Sequence, residues 1–243
     1  MTTTLITGAT RGLGLETARR LAEAGHTVYL GARDLERGQK AAEQIGARVL
    51  QLDVTDEPSV QAAAKLVREE AGSLDVLINN AGISGPWKAA GDFTAADMET
   101  VYATNVFGLV RVTHAFLPLL TASSNPVVVN VSSSGGSLTR NSDPTTGEYA
   151  LGILTYASSK SAVNMVTIQY ANAFPNMRIN AVNPSLTDTD FTNVVSPGPT
   201  PIDFTEMGIQ SVEEGAEIIV RMAVIGADGP TGGFFEADGP VPW

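Results

Sequence analysis

The sequence predicts an α/β fold: a three-layer, doubly wound sheet of about seven parallel strands with helices on both faces. Three observations predict it. Short β-rich runs alternate with helical stretches from one end of the 243-residue chain to the other, the pattern of a parallel sheet whose crossovers are helices. One run, Val127-Val-Val-Asn-Val131, is almost wholly apolar, as a central strand buried on both faces must be. The first run leads straight into a glycine-rich turn, Thr7-Gly-Ala-Thr-Arg-Gly-Leu-Gly14, that opens a helix.

The elements follow in order. Residues 3–7 and 27–32 read as the first two strands, with a helix over 13–24 between them. Further strands are expected over 48–52, 76–79, 127–131, 178–182 and 233–235, and helices over 35–45, 57–71, 95–120, 155–173 and 212–225. Two stretches break the alternation: 134–155, rich in Gly, Ser, Thr and Asp, and 185–211, which contains Ser196-Pro-Gly-Pro-Thr-Pro201. Each follows a strand's carboxyl end, where open α/β sheets bind ligands, and both read as walls or lids of one site. There is no internal repeat and no linker, so residues 1–243 are expected to form one domain.

Composition removes several function classes. Lys and Arg number 15 against 26 Asp and Glu, a formal charge of −11, so nucleic acid and anionic membranes are repelled overall. The absence of cysteine excludes disulfides, thiolate metal sites and cysteine nucleophiles, and His26 and His114 cannot build a histidine-rich centre, so no metal is expected. No apolar run approaches the ~18 residues of a membrane span. The opening MTTTLITGATRG lacks the basic-then-apolar pattern of an export signal. A soluble, cytoplasmic protein acting on a small molecule is expected.

The glycine turn carries the first chemical signal. Strand, tight turn and helix start together aim backbone N–H groups and the positive end of the helix at an anion, the arrangement that holds a dinucleotide pyrophosphate in Rossmann-like folds. The plain alternative is a surface turn. Gly8, Thr10, Arg11, Gly12, Leu13 and Gly14 are the turn's candidates. In NAD-binding folds an acidic residue about 20 positions on holds the ribose 2′-hydroxyl, whereas an arginine accommodates a 2′-phosphate. Here Ala32 stands at that place, Arg33 follows, Arg37 lies one helical turn on and Arg11 sits in the turn itself. Three guanidiniums able to converge on one phosphate favour NADPH/NADP+. Asp34 speaks against it, since it can pair with Arg37 or repel the phosphate. Asp53, followed by Val54, is a candidate for the adenine amine, with a cap near Thr55 as its plain role.

Tyr156-Ala-Ser-Ser-Lys160 places a phenol and an ammonium at i and i+4 on one helix face. Ser132-Ser-Ser134 leaves the end of the buried fifth strand, Asn105 sits inside a long helix, and Asn79-Asn-Ala-Gly82 closes the fourth strand. All would lie on the sheet's ligand edge. In this order, with the glycine turn and Asn183-Pro184, these motifs resemble those of the short-chain dehydrogenase/reductase family over essentially the whole chain. Gly31-Ala-Arg-Asp-Leu-Glu-Arg-Gly38 and Asn130-Val-Ser-Ser133 are similar to its NADPH-dependent carbonyl reductase branch.

The resemblance implies that Tyr156 is the catalytic acid or base and that Ser133, three positions before Gly136, binds the substrate carbonyl. It implies that Lys160 holds the nicotinamide ribose and tunes Tyr156, and that Asn105 holds a water in a proton relay. Asn80 and Gly82 would line the cofactor, and Pro184, Thr187 and Thr189 would hold its carboxamide and diphosphate. A phenol of pKa near 10 needs a fixed cation to work at neutral pH, so Lys160, together with the positive nicotinamide of the oxidised cofactor, is expected to lower Tyr156.

Two departures from the family pattern stand out. Ser185 replaces the usual glycine after the proline, and the Ser133 to Tyr156 interval is long, its extra residues at about 140–151 either reshaping the substrate mouth or covering helices used for association. A homo-oligomer is left open. Trp87, Phe93, Tyr149, Phe191, Met207 and Trp243 are the apolar candidates for a carbonyl or alcohol substrate. The competing expectations are an NAD-linked secondary alcohol dehydrogenase and a non-catalytic NADPH sensor.

Overall fold

The computed structural model describes residues 2–189 and 208–243. Its strands are β1 Thr3–Ile6, β2 Thr27–Ala32, β3 Arg48–Gln51, β4 Val76–Asn79, β5 Val127–Val131, β6 Arg178–Val182, β7 Phe234–Glu236 and β8 Gly239–Pro240. They form one sheet in the order β3-β2-β1-β4-β5-β6-β7-β8. Every pairing is parallel except that of β7 with β8. The antiparallel β8 is absent from the sequence reading because two residues, one a proline, carry no periodicity.

The helices are α1 Gly12–Glu23, α2 Leu35–Ile45, α3 Glu57–Ala71, α4 Ala95–Tyr102, α5 Leu109–Thr121, α6 Leu138–Ser142, α7 Gly147–Ala150, α8 Leu154–Ala173 and α9 Val212–Ala223. One core layer joins Ala18, Leu21, Ala41, Ile218 and Ile219, from α1, α2 and α9, to the sheet residues Ile6, Leu30, Val129 and Val182. The other joins Val60, Val67, Val112, Phe116 and Ala171, from α3, α5 and α8, to Leu5, Leu77 and Val128. Successive strand residues thus serve opposite layers, which is why β5 is buried at every position.

The helix expected over 95–120 is interrupted. Residues Ala103–Gly108 form a π-helical turn between α4 and α5. The whole rod, Ala95–Thr121, is long and apolar enough by length and composition to cross a membrane, with a mean hydropathy of 1.2 over an 18-residue stretch of it. Scattered polar residues, Asn105 and Arg111 among them, hid this from a search for unbroken apolar runs. It is a core helix: Val112, Phe116, Leu119 and Leu120 are at most 2% exposed.

The stretch 134–155 is also more ordered than expected. It holds a 3-10 turn at Ser134–Gly136 followed by α6 and α7. Thr139 N and Oγ1 both donate to Trp243 O, at 2.9 and 2.7 Å. The segment therefore leans on the carboxyl-terminal strands, while Met165 on α8 stays 56% exposed.

Candidate active site

The strand order reverses at β1, whose neighbours are β2 and β4. A doubly wound sheet opens a crevice at such a point, outside the carboxyl ends of its strands. The glycine turn lies there. Gly8 and Gly12 have φ of 63° and 53°, left-handed values that glycine adopts without cost. A Cβ on Gly14 would stand 2.5 Å from Asn80 Nδ2 and 2.9 Å from Ala9 Cα, so the helix can start this close only with glycine. Asn80 holds the turn from below, Nδ2 donating to Thr7 O at 2.9 Å and Gly8 O at 3.1 Å. The first turn of α1 has no acidic residue and its N-cap residue, Arg11, makes no capping bond with its side chain. An anion is the complement of such a terminus.

The other cofactor candidates divide. Arg33 and Arg37 are exposed beyond the end of β2. Asp34 caps α2, accepting from Arg37 N at 3.1 Å, and its carboxylate is 3.5 Å from Arg37 Nε. Asp53 accepts from Thr55 N and Oγ1 at 2.9 and 2.7 Å, the plain role considered for it. Val54 has its side chain in the core and its carbonyl accepts from Arg111 Nη1, which leaves its N–H for any ligand. Thr189 brings its methyl within 3.4 Å of the position a Cβ on Gly12 would take, beside the glycine turn. Thr187 is buried, its hydroxyl donating to Pro184 O at 3.2 Å. Phe191 and Met207 lie outside the described residues. Trp243 stacks on Phe234 at 5.4 Å between ring centroids, so it serves the small third core rather than a cleft.

The proton-transfer candidates converge. Ser133 lies close enough to the Tyr156 hydroxyl to favour its charged form. Ser132 faces inward instead, donating to Asn164 Oδ1 at 2.6 Å. Lys160 is buried, its Nζ donating to Val131 O at 2.7 Å and lying 5.6 Å from the centre of the Tyr156 ring. A Cβ on Gly82 would meet Asn105 Oδ1 at 3.4 Å and Lys160 Nζ at 3.7 Å. Asn105 itself is stitched into place by the π-helical turn. Its Oδ1 accepts from Ile83 N at 2.8 Å and its Nδ2 donates to Ile83 O and Ser159 Oγ at 2.9 and 3.0 Å.

Electrostatics bears on the Lys160 half of one expectation. Burial pushes Tyr156 up to about 12, with Ser133 pulling the other way. Burial also brings the Lys160 ammonium down to about 8. Lys160 therefore does not lower Tyr156 in the protein by itself. Both groups lose water at the same spot, and desolvation disfavours the charged form of each.

Sequence reasoning missed the polar frame beneath these groups. Asn79 Nδ2 donates to Thr113 Oγ1 and Asn130 Oδ1 at 3.1 and 2.9 Å, and Asn130 Nδ2 donates to Thr167 Oγ1 at 2.9 Å. The signal was present: an asparagine inside the apolar run of β5 must find partners there. Asn183, quoted only as part of a motif, turns out to accept from both Ser134 N and Ser185 N.

A family model described as short chain dehydrogenase matches residues 2–199. The chain belongs to the short-chain dehydrogenase family. It is 37% identical over 239 residues to the short-chain dehydrogenase anuI of Penicillium roqueforti, covering 92% of this chain and 88% of that one. It is 32% identical over 295 positions to the (+)-neomenthol dehydrogenase of Arabidopsis thaliana, covering 95% and 94%. Among solved structures, an NADPH-bound carbonyl reductase from chicken fatty liver superposes with a TM-score of 0.83 at 26% identity over 99% of this chain and 98% of that one. This short-chain dehydrogenase is thus an oxidoreductase of a family that uses NAD(P)(H) and whose named relatives act on small molecules.

Proposed function

We propose that this short-chain dehydrogenase reduces a ketone or aldehyde carbonyl to an alcohol with NADPH, and that Tyr156 supplies the proton. The observation that carries the reading is the buried Lys160, its Nζ 5.6 Å from the centre of the Tyr156 ring, with Ser133 near the phenol. A dinucleotide fits the crevice because Gly8, Gly12 and Gly14 leave the backbone open where a pyrophosphate would lie. Gly8, Thr10, Arg11, Gly12, Leu13 and Gly14 would hold the pyrophosphate, and Asp53 with the Val54 main chain the adenine. Arg11, Arg33 and Arg37 would surround the 2′-phosphate, and Asn80, Gly82, Pro184, Thr187 and Thr189 the nicotinamide half. Bound there, the nicotinamide supplies the hydride.

The chain's own groups do the rest. Tyr156 is a neutral phenol at pH 7, the form a proton donor needs. Ser133 is placed to donate to the carbonyl oxygen as charge grows on it. Lys160, with a value of about 8, is still mostly cationic at neutral pH and offers its remaining N–H groups towards Gly82 and the ribose side. It supplies positive charge to the phenolate that proton transfer leaves behind. The two amide hydrogens of Asn105 are already engaged, so a relay water would rest on its oxygens. The names of the relatives make a cyclic, mostly apolar ketone the first substrate to try.

The test is a panel of ketones, aldehydes and alcohols assayed by nicotinamide absorbance with NADPH and NADH. Tyr156→Phe should lower turnover by about 10³-fold while NADPH affinity changes less than about twofold. No turnover in the wild type, with loss of NADPH affinity as the only effect of the substitution, would favour the sensor. The Asp34–Arg37 pair keeps an NADH-linked reading alive. Arg33→Ala separates the two: it should raise the NADPH KM by about tenfold or more and leave that for NADH nearly unchanged. Equal effects would overturn the 2′-phosphate assignment.

A further inference from the structure

Asn183 follows β6 and is 4% exposed. Its Oδ1 accepts from two backbone donors, Ser134 N at 3.0 Å and Ser185 N at 3.1 Å. Its Nδ2 donates to Glu236 Oε2 at 2.9 Å. Glu236 ends β7, and both of its carboxylate oxygens are gripped by Arg140 of α6, at 2.6 and 3.2 Å. Arg140 also stands 3.5 Å from Glu148 of α7. One side-chain amide therefore joins the extra segment and the last strands to the loop that carries Ser133.

An amide's two ends are nearly the same shape, and only its partners decide which end is oxygen. Two converging N–H groups demand oxygen at one end of Asn183. Glu236, which as a carboxylate can only accept, demands nitrogen at the other. Without it the two N–H groups still ask for the oxygen, but Nδ2 is left buried with no acceptor, and the side chain loses the anchor that holds its oxygen on both donors. Ser134 directly follows Ser133, and Ser185 is the left-handed residue that leads to Thr187 and Thr189. Burial works to raise the Glu236 carboxyl, but the Arg140 and Asn183 hydrogen bonds win and hold it below its usual range.

We propose that Glu236 is a positioning residue for carbonyl reduction, acting through the Asn183 amide to fix the Ser133 loop and the turn at Ser185, with Arg140 as its anchor. This rests on the roles given above to Ser133 and Tyr156. What matters in it is reach more than charge. Glu236→Gln keeps an oxygen within reach of Asn183 Nδ2, whereas Glu236→Asp keeps the charge and withdraws it by one methylene.

The experiment measures kcat and KM of the full chain with NADPH and menthone, the ketone of neomenthol, or with the best ketone of the panel, normalised to sites counted by NADPH fluorescence titration. Glu236→Ala should lower kcat about tenfold or more with the NADPH KM changed less than about threefold. Glu236→Gln should keep kcat within about threefold of wild type, and Glu236→Asp should fall between Gln and Ala. If Glu236→Ala does not fold, the order of Gln above Asp decides alone. Asp equal to or better than Gln, or kcat per site unchanged in Ala, would overturn the proposal while the wild type still turns over. An inactive wild type would instead remove the functional reading, and this role with it.

Discussion

At the scale of single residues, Ser185 shows how the chain absorbs a departure from its family's pattern. Its φ is 59°, making it the one non-glycine with positive φ among the described residues. The backbone keeps the geometry that glycine would take, and the serine bears the strain, about 1–2 kcal/mol for a Cβ in this region. Glycine would lose about 0.5–1 kcal/mol of that gain to its freer unfolded chain. Ser185→Gly is therefore expected to stabilise the protein by about 0.5 kcal/mol, a rise of about 1–2 °C in Tm, with the Ser185 N to Asn183 bond retained. A fall in Tm would mean that the hydroxyl makes a contact worth more than the strain. Ser133 is singled out from its neighbours by the family resemblance alone, through its distance to Gly136, and what the structure adds is that Ser132 turns inward to Asn164. The rise of Tyr156 on burial was not legible, because it depends on how much water two adjacent groups lose together, which spacing does not encode.

At the scale of elements, the site depends on how closely α8 approaches the Ser133 loop. Gly136 makes that approach possible: a Cβ there would stand 2.7 Å from Lys160 C and 2.9 Å from Lys160 O. These are backbone atoms of a helix, which cannot turn aside as a side chain can. Gly136→Ala should push α8 outward, carrying Tyr156 and Lys160 away from Ser133, and lower kcat by about 10²-fold without altering any proposed catalytic group. Kinetics at saturating NADPH, with a crystal structure of the variant, would check it; wild-type kcat would show that the helix can yield without moving its hydroxyl. Strands β1 to β6 and the long helices were readable because each carries a burial period or a turn signal. The π-helical turn, α6, α7 and β8 were not. They arise from tertiary partners such as Ile83, Glu236 and Trp243, far away in the chain from the residues they shape.

At the scale of the whole molecule, the doubly wound sheet has to keep a cation in its interior. Lys160 is 5% exposed, and burial takes it from 10.5 in the unfolded chain to about 8. Below pH 8 both states hold the proton and the fold bears the cost of a poorly solvated ammonium. Between about 8 and 10.5 the unfolded chain binds the proton and the folded one releases it, so this group makes stability rise with pH. The gain is about 3 kcal/mol at 1.36 kcal/mol per unit and is complete above the unfolded value. Tyr156 acts oppositely between 10 and about 12, since the folded phenol keeps its proton longer. Lys160→Met removes the first effect and leaves the second. Without nucleotide, the wild type should therefore gain about 3 kcal/mol over Lys160→Met between pH 7 and pH 11 in denaturant-unfolding free energy. Parallel curves would mean that water reaches the ammonium in the folded state, and a solvated ammonium beside Tyr156 would leave the phenol's proton transfer without the concentrated charge proposed for it.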